Sequence, residues 1–148
     1  MSDYRRAFVP GGCWFFTVNL LDRRKTLLVE QIAILRDAVA ATRQSHPFDI
    51  DAFVVLPDHL HAIWKLPQGD ANFSVRWRLI KTRFARALPT DERLSAVRAA
   101  RNERGIWQRR FWEHLLRDEA DYVRHVKYCY INPLKHGLVT HVRDWPYS

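Results

Sequence analysis

The segment Asp51-Ala-Phe-Val-Val-Leu-Pro-Asp-His-Leu-His-Ala-Ile-Trp-Lys-Leu66 predicts a β-hairpin near the middle of the chain. Residues Asp51–Leu56 are mostly apolar and favour a strand, and Pro57-Asp58 is typical of a tight turn. Residues His59–Leu66 then alternate between polar and apolar, as a returning strand does. The segments on either side determine the sheet to which this hairpin belongs.

The segments that flank the hairpin predict one strand and two helices. Residues 13–20 (CWFFTVNL) follow the Gly11-Gly12 turn and are rich in aromatic and β-branched residues, which favours a strand. Residues 27–43 place apolar side chains at helical spacing, which predicts a helix. Residues Asn72–Leu88 predict a second, basic helix with an apolar stripe that includes Trp77.

The last third of the chain predicts a further strand between two helices. The highly charged segment Thr90–Glu103 is predicted to be helical, and Phe111–Arg117 alternates like a strand. Residues Asp118–Ile131 predict a helix that ends at Asn132-Pro133, because the residue before proline disfavours helical geometry. The order β-α-β-β-α-β-α predicts an α+β fold: a ferredoxin-like (RRM-like) split βαβ sandwich with an antiparallel sheet and helices on one face.

Length and charge narrow the class of protein. The chain has 148 residues, 47% of them hydrophobic and 13% aromatic, which suits one domain over residues 1–148. Its 24 Lys and Arg against 16 Asp and Glu give a formal net charge of +8, which favours a polyanionic partner, nucleic acid before an anionic membrane. The longest apolar runs are strand-length, and no amphipathic helix presents a large apolar face, so we expect no membrane partner.

Cysteine usage and the first residues indicate the compartment. The only two cysteines, Cys13 and Cys129, are far apart and form no metal-type or CxxC spacing. Residues 1–12 carry no apolar stretch of the secretory kind. The sequence therefore predicts a cytoplasmic setting without a disulfide framework.

The first candidate for chemistry is His59-Leu60-His61. On a strand, the two histidines point to the same face, where two imidazoles make a ready metal site. Among 7 histidines in 148 residues, however, such a pair also arises by chance. The pattern alone leaves ligation and coincidence both open.

The second candidate lies on the predicted helix Asp118–Ile131, whose residues divide between two sides. The apolar side comprises Val123, Val126 and Tyr130, and the polar side comprises Asp121, His125, Tyr128 and Asn132. Tyr130 is therefore predicted to lie in the core. Tyr128 precedes Asn132 by one turn, so the two side chains can reach the same point. A solvated surface tyrosine is the alternative.

Basic and aromatic residues interleave in three places, a pattern that favours contacts with unpaired nucleic acid. The candidate DNA-binding residues are Tyr4, Arg5, Arg6, Arg78, Lys81, Arg109 and Arg110. The alternative is that Trp77, Phe111 and Trp112 are core anchors with arginines at their rim. For Trp77, on an apolar stripe, we favour the core.

Taken together, these motifs resemble the REP-associated tyrosine transposases, where REP denotes a repetitive extragenic palindrome. The resemblance extends in order over nearly the whole chain. Its motifs are Tyr4-Arg5-Arg6, Val54–Trp64 (VVLPDHLHAIW), Trp107–His114 (WQRRFWEH), Asp121–Val139 with Tyr128 and Ile-Asn-Pro, and Asp144–Ser148 (DWPYS).

The resemblance implies an HUH endonuclease (His, hydrophobic residue, His) that cuts and joins single-stranded DNA at palindromic hairpins. His59 and His61 would bind a divalent metal, Mg²⁺ or Mn²⁺, and Tyr128 would be the nucleophile that forms a 5′-phosphotyrosine. Asn132 stands where insertion-sequence relatives carry a glutamine ligand; a water or His125 is the alternative third ligand. We expect a monomer rather than a homodimer.

A different class remains open beside this enzyme. A non-catalytic, sequence-specific module that binds single-stranded DNA or RNA on an RRM-like sheet would keep the fold and the basic residues. Such a module would need neither His59 nor Tyr128.

Overall fold

The computed structural model describes residues 10–88, 105–141 and 145–147 of the chain. Within this part, the strands are β1 (Cys13–Asn19), β2 (Asp49–Val55), β3 (His59–Lys65) and β4 (Trp112–Leu115). The helices are α1 (Leu27–Glu30), α2 (Ile32–Ser45), α3 (Phe73–Arg86) and α4 (Glu119–Lys135). The predicted helix over Thr90–Glu103 and the arm Tyr4-Arg5-Arg6 lie outside the described residues.

The four strands form one antiparallel sheet in the order β2-β3-β1-β4. At its centre, β1 pairs with β3 so that Thr17 lies opposite His61. On the other side of β1, Trp112 of β4 lies opposite the same Thr17. Since β3 separates β1 from β2, the chain crosses the sheet through α1 and α2. This is the split βαβ arrangement of the ferredoxin-like fold, and the predicted α+β class is confirmed.

One face of the sheet carries the larger core, built on aromatic side chains. Trp64 of β3 stacks on Trp77 of α3 with ring centroids 4.2 Å apart. Both tryptophans are fully buried, which confirms the core position predicted for Trp77. Burying a large apolar side chain contributes about 1.5–3 kcal/mol, so each of these tryptophans stabilises the fold on that scale. The other members come from β1, β3, α2 and α3 and include Trp14, Phe16, Leu35, Leu60, Phe73 and Phe84.

The opposite face packs against α4, so helices cover both faces of the sheet. Phe15 of β1, Val54 of β2 and Ile63 of β3 form a second buried cluster with Cys129 of α4. The expectation that all helices lie on one face is wrong for α4. The physical reason is that β3 is buried on both of its faces, from His59 to Trp64, and needs cover on each.

Two predicted helix boundaries differ in the structure. The helix predicted over 27–43 is broken at Gln31 into α1 and α2. The last helix does not end at Asn132-Pro133 but continues to Lys135 with Pro133 inside it. Asn132 and Pro133 are both buried. Packing against the sheet therefore outweighs the local cost of a proline that cannot donate a helical hydrogen bond.

The predicted sidedness of α4 is also wrong. Tyr130, expected in the core, is 43% exposed, and Val123 is exposed as well. Asp121 and Asn132, on the predicted polar side, are buried. The sheet face under this helix carries His59 and His61 beside the apolar cluster, so polar residues of α4 are buried there together with Cys129.

None of the helices in the described ranges is long and apolar enough to span a membrane.

Candidate active site

The site begins with the alternation of β3, which places His59 and His61 on the sheet face that α4 covers. Both histidines are buried, and their ring centroids lie 5.0 Å apart at 82°. Nδ1 of His59 donates a hydrogen bond to Oδ1 of Asp58 at 2.8 Å. Nδ1 of His61 is hydrogen-bonded to the Thr17 hydroxyl at 2.8 Å. With each Nδ1 engaged, Nε2 is the nitrogen left to ligate, the orientation that partners of metal-binding imidazoles commonly fix.

Burial keeps both imidazoles in the form that binds metals. Burial lowers the pKa of His59 below its usual range, although the Asp58 carboxylate partly offsets this effect. Burial lowers the pKa of His61 to about 3, and the neighbouring His59 and His136 act in the same direction. Because both pKa values lie below the ordinary 6.5, both rings are neutral at pH 7 and carry a lone pair for ligation.

Helix α4 brings Tyr128 to this pair. The helix begins at Asp118, whose side chain accepts a hydrogen bond from the backbone N–H of Asp121 at 2.7 Å. Ten residues later, the Tyr128 ring centroid lies 5.1 Å from that of His61 at 72°. Nζ of Lys135 lies 5.5 Å from the same tyrosine ring. Tyr128 is 36% exposed, so a substrate can reach it beside two buried histidines.

Asn132 lies one helical turn beyond Tyr128 and is fully buried. Neither its Oδ1 nor its Nδ2 has a hydrogen-bond partner among the described residues, and the same holds for Nε2 of His61. Leaving a buried polar group unpaired costs about 1–3 kcal/mol, so such atoms point to a group outside the chain. Two neutral imidazoles and an amide oxygen are a donor set that fits a divalent metal.

A second polar cluster lies beside the first, on β4 and α4. Nε2 of His114 donates to Oδ2 of Asp121 at 2.9 Å, and the His114 and His125 rings stack 4.8 Å apart. Nδ1 of His125 donates to the backbone carbonyl of Asp121 at 2.8 Å. The ligand atoms of these three residues lie within 4.8 Å of one another, close enough to hold a metal ion. His125, the alternative third ligand, is thus engaged in this separate cluster.

Asp121 is the charged centre of that cluster. Burial would raise the pKa of Asp121, but hydrogen bonds from Arg124 and His114 outweigh it and lower the pKa to about 2. The carboxylate is therefore ionised at neutral pH and holds Arg124 at 3.0 Å.

The described ranges include four of the predicted DNA-binding residues, Arg78, Lys81, Arg109 and Arg110. Arg78 is exposed on α3, which packs on the other face of the sheet. Nζ of Lys81 donates to the backbone carbonyl of Gln108 at 2.8 Å and so ties α3 to the segment before β4. Arg109 and Arg110 are exposed in that segment. Their contacts with DNA remain predictions.

Sequence reasoning missed three residues that line the site. Thr17 and Asp58 orient the histidines, and His136 lies with its ring 5.5 Å from that of His59. Trp112, for which the sequence left a nucleic-acid contact and a core anchor both open, is exposed at the rim. The alternation of β1 contained a usable signal, because Thr17 is a polar residue in an aromatic strand, whereas only the sheet order brings Trp112 close.

A surface pocket of about 420 Å³ adjoins the candidate nucleophile. Its lining residues come from β1, β4 and α4 and are Phe15, Thr17, Trp112, Arg124, His125 and Tyr128. The pocket is open to solvent and connects the histidine face to the edge of the sheet.

The fold, with a His-Leu-His pair beside an accessible tyrosine, is the arrangement that the resemblance to HUH tyrosine transposases implies. No protein-family model matches the chain. A REP-associated tyrosine transposase of Escherichia coli (strain K12) is 50% identical over 148 residues, which cover all of this chain and 82% of that protein. A relative from Haemophilus influenzae with a similar designation is 48% identical over 149 residues, which cover all of this chain and 85% of that protein. This chain belongs to the family of REP-associated tyrosine transposases.

One solved structure agrees with this membership, and a second shares the fold. The structure of a REP-associated tyrosine transposase bound to a REP hairpin is similar to this chain with a TM-score of 0.84 at 50% identity, covering 99% of this chain and 81% of that one. A Deinococcus radiodurans structure described as a transposase has a TM-score of 0.53 at 15% identity, covering 86% and 95%. The second similarity shows the fold alone.

Proposed function

We propose that this chain is a metal-dependent endonuclease and strand transferase for single-stranded DNA that binds a REP hairpin and cleaves through a 5′-phosphotyrosine on Tyr128. One observation carries the proposal: Tyr128 lies beside a buried, neutral His61 and one turn before a fully buried Asn132, whose amide has no hydrogen-bond partner among the described residues. The relative solved with a REP hairpin, 50% identical, supports the choice of substrate.

His59, His61 and Asn132 would hold the metal through Nε2, Nε2 and Oδ1. When bound, a divalent cation supplies positive charge that neutralises the scissile phosphate and polarises it for attack. The family resemblance implies Mg²⁺ or Mn²⁺. Since imidazole suits Mn²⁺ better than Mg²⁺, which prefers oxygen ligands, we expect Mn²⁺ to support cleavage at least as well.

The residues of the chain account for the rest of the reaction. The Tyr128 oxygen attacks the phosphorus, the bond from phosphorus to the 3′ oxygen breaks, and the departing oxygen takes up a proton as a 3′-hydroxyl. A tyrosine must lose its proton to act as a nucleophile, and Nζ of Lys135 lies 5.5 Å from the centre of the Tyr128 ring. In the reverse step, a 3′-hydroxyl attacks the phosphotyrosine and releases Tyr128. Joining therefore needs no nucleotide cofactor.

The test is the formation of a covalent protein–DNA adduct. A REP hairpin oligonucleotide with an unpaired flank is incubated with Mn²⁺, and denaturing electrophoresis separates the adduct. We expect Tyr128→Phe and His61→Ala to reduce the adduct to background. Tyr130→Phe is the matched control, because Tyr130 is on the same helix but faces away from the site and should react like the wild type.

Two outcomes would contradict the proposal in different ways. An adduct formed by Tyr128→Phe would mean that another residue is the nucleophile. Hairpin binding without any adduct, unchanged by His61→Ala, would instead identify a non-catalytic binding module.

A further inference from the structure

Trp112 differs from the other tryptophans in the described part of the chain. Trp14, Trp64, Trp77 and Trp107 are buried, and Trp145 is partly buried, with its indole N–H donating to the Val55 carbonyl. Trp112 is 60% exposed. Single exposed apolar residues are common, so exposure alone says little, and what matters is where this side chain lies.

The strand register places Trp112 on the face that carries the histidines. Trp112 lies opposite Thr17 on β1, and Thr17 lies opposite His61 on β3. Residues directly opposite each other in antiparallel strands point to the same face. Trp112 is therefore two strand spacings, about 10 Å, from His61, on the same side of the sheet.

A positively charged side chain, that of Arg124, lines the same pocket. Arg124 is on α4, one turn before Tyr128, and its side chain is 73% exposed. A hydrogen bond of 3.0 Å to Asp121 fixes one side of the guanidinium and leaves the rest facing outward. Arg124, Trp112 and Tyr128 all line the pocket of about 420 Å³.

This combination matches the chemistry of an unpaired nucleotide. A nucleobase is flat and stacks on an exposed aromatic ring, while an arginine guanidinium binds the phosphate attached to it. A double-stranded segment cannot use such a ring, because its bases are already stacked on one another. The formal net charge of +8 favours a polyanion over an apolar peptide in this pocket.

We propose that Trp112 and Arg124 form a nucleotide subsite beside Tyr128, in which Trp112 stacks on the unpaired base that flanks the scissile phosphate and Arg124 binds a phosphate of the same strand. The proposal rests on the proposed function, because it takes Tyr128 as the reacting residue. Neither side chain takes part in bond making. The subsite holds the strand so that the scissile phosphate faces Tyr128.

The experiment compares Trp112→Ala with Trp112→Phe on a REP hairpin oligonucleotide with an unpaired flank. Loss of one stacked base weakens binding by about 5- to 150-fold. We expect Trp112→Ala to raise Kd by that factor and Trp112→Phe to restore most of the affinity. The rate of adduct formation at saturating DNA should change less than Kd. Tyr130→Ala, an exposed aromatic residue outside the pocket, is the control and should leave Kd unchanged.

Abasic substrates identify the base that stacks. Removing the base on one side of the cleavage site should weaken binding by the wild type but not further weaken binding by Trp112→Ala, because the two changes remove the same interaction. Equal abasic penalties in wild type and variant on both sides would overturn the proposal. So would a Kd for Trp112→Ala within twofold of the wild type while its thermal unfolding is unchanged.

The outcome separates this proposal from the proposed function. If the wild type forms no adduct but Trp112→Ala still weakens binding and the abasic effects are shared, the subsite stands and the nuclease assignment fails. If the adduct forms normally and Trp112 has no effect on Kd, the nuclease assignment stands and the subsite fails.

Discussion

At the scale of single residues, the buried polar atoms without a partner fall into two groups in the described part of the chain. Three are indole nitrogens of Trp14, Trp64 and Trp77 in the aromatic core. The other three are Nε2 of His61 and both amide atoms of Asn132. His61 lies on the sheet face that α4 covers and Asn132 lies on α4, so we propose a bound ligand for this second group.

The burial of His61 predicts a specific loss of stability in mild acid for the metal-free protein. The pKa of His61 is about 3 in the fold against 6.5 in the unfolded chain. Below pH 6.5 the unfolded chain therefore takes up a proton that the folded chain excludes. As far as His61 determines it, the free energy of unfolding has its full value above pH 6.5 and falls progressively as the pH drops toward 3. Burial lowers the pKa of His59 in the same direction.

The measurement is urea unfolding with a chelator at pH 6.5 and pH 5.5. We expect the free energy of unfolding to fall by about 1 kcal/mol for His61 between these values. His61→Gln should lose less, because the variant no longer excludes that proton. The Asp121 carboxylate, with a pKa of about 2, titrates below this window. Equal losses in wild type and His61→Gln would show that His61 is not held neutral by burial.

At the scale of elements, helix α4 carries Tyr128 and Asn132, the two candidate site residues that do not belong to the sheet. Tyr128 and Asn132 are four residues apart on one helix, so their spacing is set by the helical rise of 1.5 Å per residue. The start of this helix is fixed by Asp118 and its end lies beyond Pro133. The position of the site therefore depends on how well α4 is anchored at its N-terminus.

Removing the N-terminal cap should loosen this helix. Asp118→Ala deletes the oxygen that accepts from the Asp121 N–H, and loss of such a cap costs about 1 kcal/mol. We expect a lower Tm and a lower rate of adduct formation for Asp118→Ala. Asp118→Asn keeps a capping oxygen and should stay close to the wild type in both measurements. Identical Tm values for the two variants would mean that the cap does not stabilise α4.

How much could be predicted from the sequence differs between β3 and α4. The alternation of β3 correctly places both histidines on one face, because strand geometry leaves no other choice. The sidedness of α4 was predicted wrongly, because apolar spacing assigns Tyr130 to the core. In the structure, the buried His59 and His61 lie beside the apolar cluster under that helix, so polar as well as apolar helix residues are buried. The local sequence pattern cannot reveal which residues of the helix are buried, since their burial depends on which strands meet beneath the helix.

The same limit applies to Pro133 and Trp112. The rule that a helix ends before proline fails at Pro133 because tertiary burial compensates for the missing hydrogen bond. Trp112 comes close to Tyr128 only through the order β3-β1-β4, which joins residues far apart in the chain. The family resemblance named the site residues, and the geometry adds the partners that orient them.

At the scale of the whole molecule, the described residues that are predicted to bind DNA are spread over α3 and the segment before β4. Arg78 and Lys81 belong to α3 on the far face of the sheet, and Lys81 is used to hold the segment before β4. Arg109 and Arg110 lie in that segment, next to the edge strand that carries Trp112. Charge of this kind attracts any nucleic acid, whereas the pocket beside Tyr128 positions one strand.

This division predicts different salt dependences for two basic residues. If Arg110 contacts a phosphate, Arg110→Gln should reduce the slope of log K against log salt by about 0.7–0.9. Arg36, exposed on α2 and hydrogen-bonded to the Pro146 carbonyl, serves as the control, and Arg36→Gln should leave the slope unchanged. Titrations of a hairpin oligonucleotide between about 50 and 200 mM salt measure both. An unchanged slope for Arg110→Gln would remove this residue from the interface.

The alternation of β3 has a consequence for how this chain tolerates change. One face of the strand supplies the histidines and the other supplies Leu60 and Trp64 to the aromatic core. Inserting a single residue after Asp58 would barely alter composition, yet it would exchange the two faces and drive both imidazoles into the tryptophans. The site therefore depends on the alternation of the seven residues of β3, and shifting that alternation by one position would be more damaging than almost any single substitution.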